Sequence, residues 1–367
     1  MNPSLEIVAL AVIVASACAL PGTFLVLRKV SLMSDAISHS ILPGIVIGFF
    51  LTGDLTNPLV LVGAALSGVL AVVLTETLLR TDRVDKDAAI GLVFPVLFSI
   101  GVILITKFAS GVHLDTDAVL LGELAFAPFH RATYFGLNLP VGIWVMGGIL
   151  LLNLGAILLF YKELKLATFD AGLAAALGLS PALLHYGLMT LVSITAVGAF
   201  DHVGSILVVA LMIAPPATAY LLTDSLGRML AYSVLIGAGS AIAGYAAASW
   251  IDTSIAGAMA TMTGILFVTA LLFAPERGLV ARARQRHERR SRFAVDVLLV
   301  HLSRHENTPG EQTENALPHL TTEMNWPPDV AQAAVARAGQ QGLVEQQGDH
   351  LRLTSEGRMI AAQVQAR

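Results

Sequence analysis

Residues 22–49 read GTFLVLRKVSLMSDAISHSILPGIVIGF, an apolar stretch that carries Asp35 and His39, four residues apart, and then Pro43-Gly44. Four residues is slightly more than one helical turn, so both side chains fall on one side of a helix. Such a stretch reads as membrane-embedded, and an ionisable residue there is costly and marks a functional site by default. Two of them on one face, ahead of a helix-breaking pair, make a candidate cation site. A carboxylate oxygen and an imidazole nitrogen suit Mn²⁺, Fe²⁺ or Zn²⁺. The same spacing also fits an Asp–His hydrogen bond that only fixes helix packing.

The composition agrees with a membrane setting. The 367 residues are 55% apolar and 13% charged, with a mean hydropathy of +0.74. That excludes the soluble globular class. One cysteine, Cys18, excludes intrachain disulfides and multi-thiolate metal sites. The first apolar run follows Met1-Asn2-Pro3-Ser4 with no basic residue, so it reads as a retained span and not a cleaved signal.

Nine segments are long and apolar enough to span as helices: 4–27, 31–52, 58–79, 87–108, 139–161, 181–200, 203–222, 226–250 and 254–274. The shorter 114–130, with Asp115, Asp117 and Glu123, reads as interfacial or re-entrant. Arg28-Lys29, Arg80, Arg83, Lys86, Lys162, Lys165 and Arg228 fall in loops on one side of an alternating nine-span chain. The positive-inside bias then puts the N-terminus outside and the C-terminus in the cytoplasm, with Lys107 and Arg131 as exceptions. On this topology Asp35 and His39 lie one to two turns inside the cytoplasmic end of span two, as a waypoint near an inner gate.

The loop YKELKLATFDAGLAAALGLSP, 161–181, is too polar to span and rich in helix formers. It reads as a short helix on the cytoplasmic face that Gly178 can end and Pro181 follows. An ordinary interfacial helix fits the same composition. Beyond Pro275 the chain turns polar, with seven Arg between 277 and 292, a juxtamembrane segment that would touch anionic membrane lipid. From Phe293 the pattern is helix, helix, helix, hairpin, helix. The expected fold is an all-α polytopic membrane protein of about nine transmembrane helices (1–275), a basic linker (276–292) and a small α+β winged-helix domain (293–367). Residues 342–358, GLVEQQGDHLRLTSEGR, resemble the wing of metalloregulators of the diphtheria-toxin-repressor type. The helix that would read DNA, 328–341, holds one basic residue, Arg337, so no nucleic-acid partner is expected.

No G-x-x-x-x-G-K-[ST], G-x-S-x-G, H-E-x-x-H or CxxC occurs, which leaves an enzyme reading without support. Other polar groups have plain readings beside functional ones. Asp201-His202, at the outer end of spans six and seven, fits either a metal access point or a solvated loop. Asp115, Asp117 and Glu123 fit an outer lip that draws cations, or an ordinary acidic loop. His113, His130 and His185 read as interfacial, and Glu76 as a helix-end charge. Of the cytoplasmic His287, His301, His305, His319 and His350, only His301 and His305 stand one turn apart, a hint of metal sensing.

The block PGTFLVLRKVSLMSDAISHSILPGIVIGF resembles the signature of the manganese/zinc/iron permease family of ATP-binding-cassette importers. DAAIGLVFPVLFSIGVIL from Asp87, and AVGAFDHVGSILVVALMIAPPATAYLLTD from Ala196, are similar to two further blocks of that family, and the likeness covers about 5–275. It implies a permease subunit in a bacterial plasma membrane that holds no cofactor of its own and passes manganese, zinc or iron. The implied partners are a second permease, identical or related, a separate ATPase, and an extracytoplasmic metal-binding protein. It further implies metal contact at Asp35 and His39, with Asp201 and His202 less firmly placed. The 162–180 loop resembles the coupling helix that docks on the ATPase, through Glu163, Thr168, Phe169, Asp170 and Gly178. A membrane-anchored, metal-responsive regulator acting through the tail is the alternative.

Overall fold

A computed structural model describes residues 2–53, 57–108, 124–134, 136–322 and 324–366. The chain forms two compact units, Met1–Arg277 and Gly278–Arg367.

In the first unit, α1 (Pro3–Leu27) is the central post. Leu10, Val14, Cys18, Phe24 and Leu25 are all fully buried on it, as fits a helix that is apolar all round. Around it stand α2 (Leu32–Ser40), α3 (Leu42–Thr52), α4 (Pro58–Leu79), α5 (Lys86–Phe108) and α6 (Val141–Leu159). Two short helices, α7 (Tyr161–Phe169) and α8 (Ala171–Ala176), precede α9 (Pro181–Leu222), α10 (Leu226–Ile251) and α11 (Ile255–Phe273). Several starts share one device. Asn2, Asn57 and Ser180 cap the backbone with their side chains, and a proline follows where its missing N–H costs nothing.

Eight helices among the described residues are long and apolar enough to cross a membrane, against the nine segments expected. The difference lies in α9, one 42-residue run. Contacts fix its course. Arg28 at the end of α1 meets His185, and the Asn153 amide joins the Ala17 carbonyl to Thr195. Leu10 and His202 both close on Gly142. So α9 first runs antiparallel to α1, from Pro181 to His202. Yet Met212 lies back against Gly22. The chain therefore reverses at Gly204, whose φ of 76° and ψ of 164° are open to glycine alone. The expected segments 181–200 and 203–222 are the two limbs of this one run.

Of the segment 114–130, expected to be interfacial or re-entrant, only 124–130 are among the described residues. A 3₁₀ turn (Leu124–Phe129) leads into an antiparallel hairpin, β1 (Arg131–Tyr134) with β2 (Leu137–Pro140). Arg131 binds both carboxylate oxygens of buried Glu6, at 2.7 and 3.1 Å. That carboxylate raises the guanidinium pKa and neutralises the charge that ran against the positive-inside pattern. Asp115, Asp117, Glu123 and His113 lie outside the described residues.

The second unit contains α12 (Leu279–His305), α13 (Glu311–Glu314), α14 (Leu317–Thr322), α15 (Pro328–Gln340), the hairpin β3 (Val344–Gln347)–β4 (His350–Leu353) and α16 (Ser355–Gln365). The basic segment is helical from Leu279 and continuous with the first helix of this core. Val295, Leu298, Leu299 and Leu302 form the buried stripe of α12, spaced as an amphipathic helix requires. They pack with Leu320, Val335, Leu343 and Leu351.

Candidate functional site

The α2 segment has two unlike faces. Ser34, Ser38 and Ser40 are buried, and Ser67 of α4 donates to the Ser40 carbonyl at 2.6 Å. On the other side, Asp35 and His39 remain 41% and 35% exposed. His39 Nε2 stands 3.5 Å from Asp35 Oδ1. Two ligand atoms about 2.1 Å from one ion lie no more than about 4.2 Å apart, so the pair can share an ion without rearrangement. The His39 ring also rests against Phe94 and Phe98 of α5, at 5.9 and 6.2 Å between centroids. No third carboxylate or imidazole joins the pair among the described residues. A bound ion there would complete its shell with water or with groups from another chain.

The helix interruption falls at Ile41, whose backbone stays helical in angle, and Pro43 sits in the first turn of α3. Gly44 serves contact more than breakage: a Cβ there would lie 2.1 Å from the Gly63 carbonyl oxygen. The small residues thus press α3 onto α4 behind the pair.

Along the span Leu32–Thr52 the pair lies one to two turns from the start, and packing fixes its level against α9. Ile37, between Asp35 and His39, reaches Gly68 of α4 beside Ser193 of α9. Ser193 is eight residues, about 12 Å, from His185, and nine residues, about 13 Å, from His202. The pair therefore lies level with the middle of the first limb of α9. Asp201 and His202 occur at the far end, Asp201 exposed and His202 half-buried against Gly142. The two acid–histidine pairs are not brought together.

At the other end, Glu76, read as a helix-end charge, and His185, read as interfacial, join one network. His185 Nε2 contacts Glu76 Oε1 of α4 at 2.6 Å, and its Nδ1 faces Arg28 Nη1 at 3.2 Å. Arg28 Nε donates to Thr168 Oγ1 of α7 at 3.2 Å. Burial lowers the Arg28 pKa, and these contacts offset the desolvation. No local signal in the sequence announces this network, because its members lie on four elements.

The 162–180 loop holds two helices where one was expected. Asp170 separates them and caps α8 by accepting from the Leu173 amide at 2.8 Å. Glu163 is half-buried on α7, Phe169 is 61% exposed, and Gly178 turns the chain out of α8 with φ +83°. Leu173 and Leu177 are exposed beside Phe169, at 47% and 66%.

A family profile described as the ABC 3 transport family matches residues 4–274. The chain is 49% identical over 358 residues to a protein of Treponema pallidum named zinc transport system membrane protein TroD, with 98% of each chain covered. It is 47% identical over 277 residues to a protein of Bacillus subtilis named manganese transport system membrane protein MntD, covering 75% of this chain and 94% of that one. Among solved structures, PsaBC from Streptococcus pneumoniae in complex with Fab aligns with a TM-score of 0.63 and 29% identity, over 76% of this chain and 94% of that chain.

Proposed function

Because the chain belongs to the ABC 3 transport family, we propose that it is the transmembrane permease subunit of an ATP-binding-cassette importer for a divalent transition metal ion, manganese, zinc or iron. The observation that carries this reading is the match across the whole membrane unit to relatives named for zinc and manganese transport. The missing P-loop fits hydrolysis of ATP by a separate chain. A second permease, a separate ATPase and an extracytoplasmic metal-binding protein complete the assembly in a bacterial plasma membrane, with the N-terminus outside and the C-terminus in the cytoplasm.

Asp35 and His39 would hold the ion transiently. Two protein ligands bind loosely enough to release, as a transport path requires. Asp201 and His202 stand about 13 Å further towards the other end, where an arriving ion would pass first. α7 and α8 would meet the ATPase, with Phe169 as the exposed apolar contact and Glu163 and Asp170 beside it.

Within the second unit, residues 293–367 have the element order of a winged helix, and an interaction or regulatory role suits them better than DNA reading. Arg337, the basic residue of α15, already donates to Ser291 at 2.9 Å. Nothing in α15 favours the membrane-anchored regulator.

The test is uptake of radiolabelled manganese and zinc by cells or proteoliposomes. Asp35→Ala and His39→Ala are expected to abolish uptake while the subunits still co-purify. Unchanged uptake in both variants would remove the site assignment.

A further inference from the structure

The second unit holds a cluster that the transport reading leaves unused. We propose that His301, His305 and Glu314, with His319 beside them, form a divalent transition-metal site of the kind that takes Zn²⁺ or Co²⁺.

His301 and His305 lie one turn apart on α12, with ring centroids 4.7 Å apart. Glu314 ends α13, and one ligand atom from each of the three lies within 4.8 Å of the others. All three residues are half-buried. His319 of α14 brings Nε2 to 2.5 Å from Glu314 Oε2, and its ring lies 6.1 Å from that of His301. That nitrogen is buried and makes no hydrogen bond of proper geometry among the described residues. The His319 imidazole and the Glu314 carboxylate are already in contact.

Neighbouring groups narrow the choice. Glu306 is committed to Arg358, at 2.8 and 3.1 Å, and Glu311 accepts from the Asn307 amide at 2.8 Å. Among the described residues, the Glu314 carboxylate is the one that faces the imidazoles. His301 Nε2 lies 3.1 Å from the Glu314 carbonyl, which can only accept, so the proton belongs on Nε2. That leaves Nδ1 as the lone-pair nitrogen, oriented by the same kind of backbone bond that holds metal-ligating histidines.

Imidazole and carboxylate ligands without thiolate select borderline ions, and the divalent series ranks Zn²⁺ and Co²⁺ above Mn²⁺. Tetrahedral ligands around Zn²⁺ stand about 3.4 Å apart, so an ion would draw the side chains in by about an ångström. The segment being clamped carries the hairpin. Leu317 donates to the Asp349 carbonyl and Leu351 to the Asn315 carbonyl, each at 2.9 Å. An ion would pin α12 to the strand-like link at Ala316 and stiffen β3–β4.

The proposal does not depend on transport, and binding can be measured without the ATPase. Equilibrium dialysis of the full-length protein in detergent against Co²⁺, followed by its visible absorption, reads the site. The expected result is a Co²⁺ site displaced by Zn²⁺ that persists in the Asp35→Ala/His39→Ala double variant. Its affinity should fall by about tenfold or more in Glu314→Gln and in His305→Gln, which keeps size and polarity. Hydrogen exchange at 343–353 should slow with Zn²⁺ in the unaltered chain and not in His305→Gln. Unchanged Co²⁺ affinity in both variants, or binding lost only with Asp35 and His39, would overturn the proposal.

Discussion

Arg28 Nε donates to Thr168 Oγ1 at 3.2 Å across 140 residues of chain, so the end of the central post is tied to α7. The tie continues through His185 to Glu76, which joins α9 and α4 to the same point. Arg28 Nη2 stays buried without a hydrogen-bond partner among the described residues, so the guanidinium is held and not saturated. If α7 meets the ATPase as proposed, its motion would pull on this layer first. Thr168→Val keeps the shape and removes the acceptor. A hydrogen bond to a charged group contributes about 1.5–3 kcal/mol. The expected outcome is roughly a tenfold fall in ions transported per ATP hydrolysed, with ATPase co-purification intact. Parallel assays of uptake and hydrolysis in proteoliposomes check it, and a proportionate loss of both would mean that Thr168 serves only packing.

The approach of α3 to α4 supplies a stability test. A Cβ on Gly44 would lie 2.1 Å from backbone at Gly63, where no flexible side chain can yield. Gly44→Ala is expected to destabilise the membrane unit by about 1–3 kcal/mol, seen as a lower melting temperature in detergent. Gly147 has no atom within 4 Å of the position its Cβ would take, so Gly147→Ala is the neutral control.

Phe169, Leu173 and Leu177 are 61%, 47% and 66% exposed on the α7–α8 segment. Burying one such side chain against a partner contributes about 1.5–3 kcal/mol. Leu173→Glu replaces that gain with a buried charge. It should abolish co-purification of the ATPase while leaving the permease folded and monodisperse. Retained co-purification would place the docking surface elsewhere.

What the sequence revealed depended on how local each signal was. Asp35 and His39 are legible because helical spacing alone puts them together. The apolar segments are legible because a bilayer demands about 20 apolar residues at a time. The reversal inside α9 was foreshadowed by Asp201-His202-Val203-Gly204 interrupting an apolar run, although the helix stays formally continuous. The Glu76–His185–Arg28–Thr168 layer was not legible, since each member alone is an ordinary polar residue at a helix end. The hairpin at Arg131–Pro140 was hidden because its strands are only four residues each. The packing of Ile37 against Gly68 adds what spacing alone does not give, the level of the pair along α9.

The boundary between the units can be located by truncation. The sequence reading ended the membrane part at Pro275, but Arg277 belongs to the bundle. It donates to the Tyr220 carbonyl at 2.7 Å, pairs with Asp224, and stands 4.6 Å over the Tyr220 ring. The hydrogen bond and the cation–π contact together contribute about 1–2 kcal/mol to the α9–α10 corner. The Bacillus subtilis relative aligns over 94% of its own length with only 75% of this chain, so little of it can correspond to the second unit. A chain ending at Arg277 is therefore expected to fold and to retain metal uptake. A chain ending at Pro275 should melt lower, and Arg277→Ala in the full-length protein should reproduce that drop. Loss of uptake in a well-folded chain ending at Arg277 would instead make the second unit an essential part of the transporter.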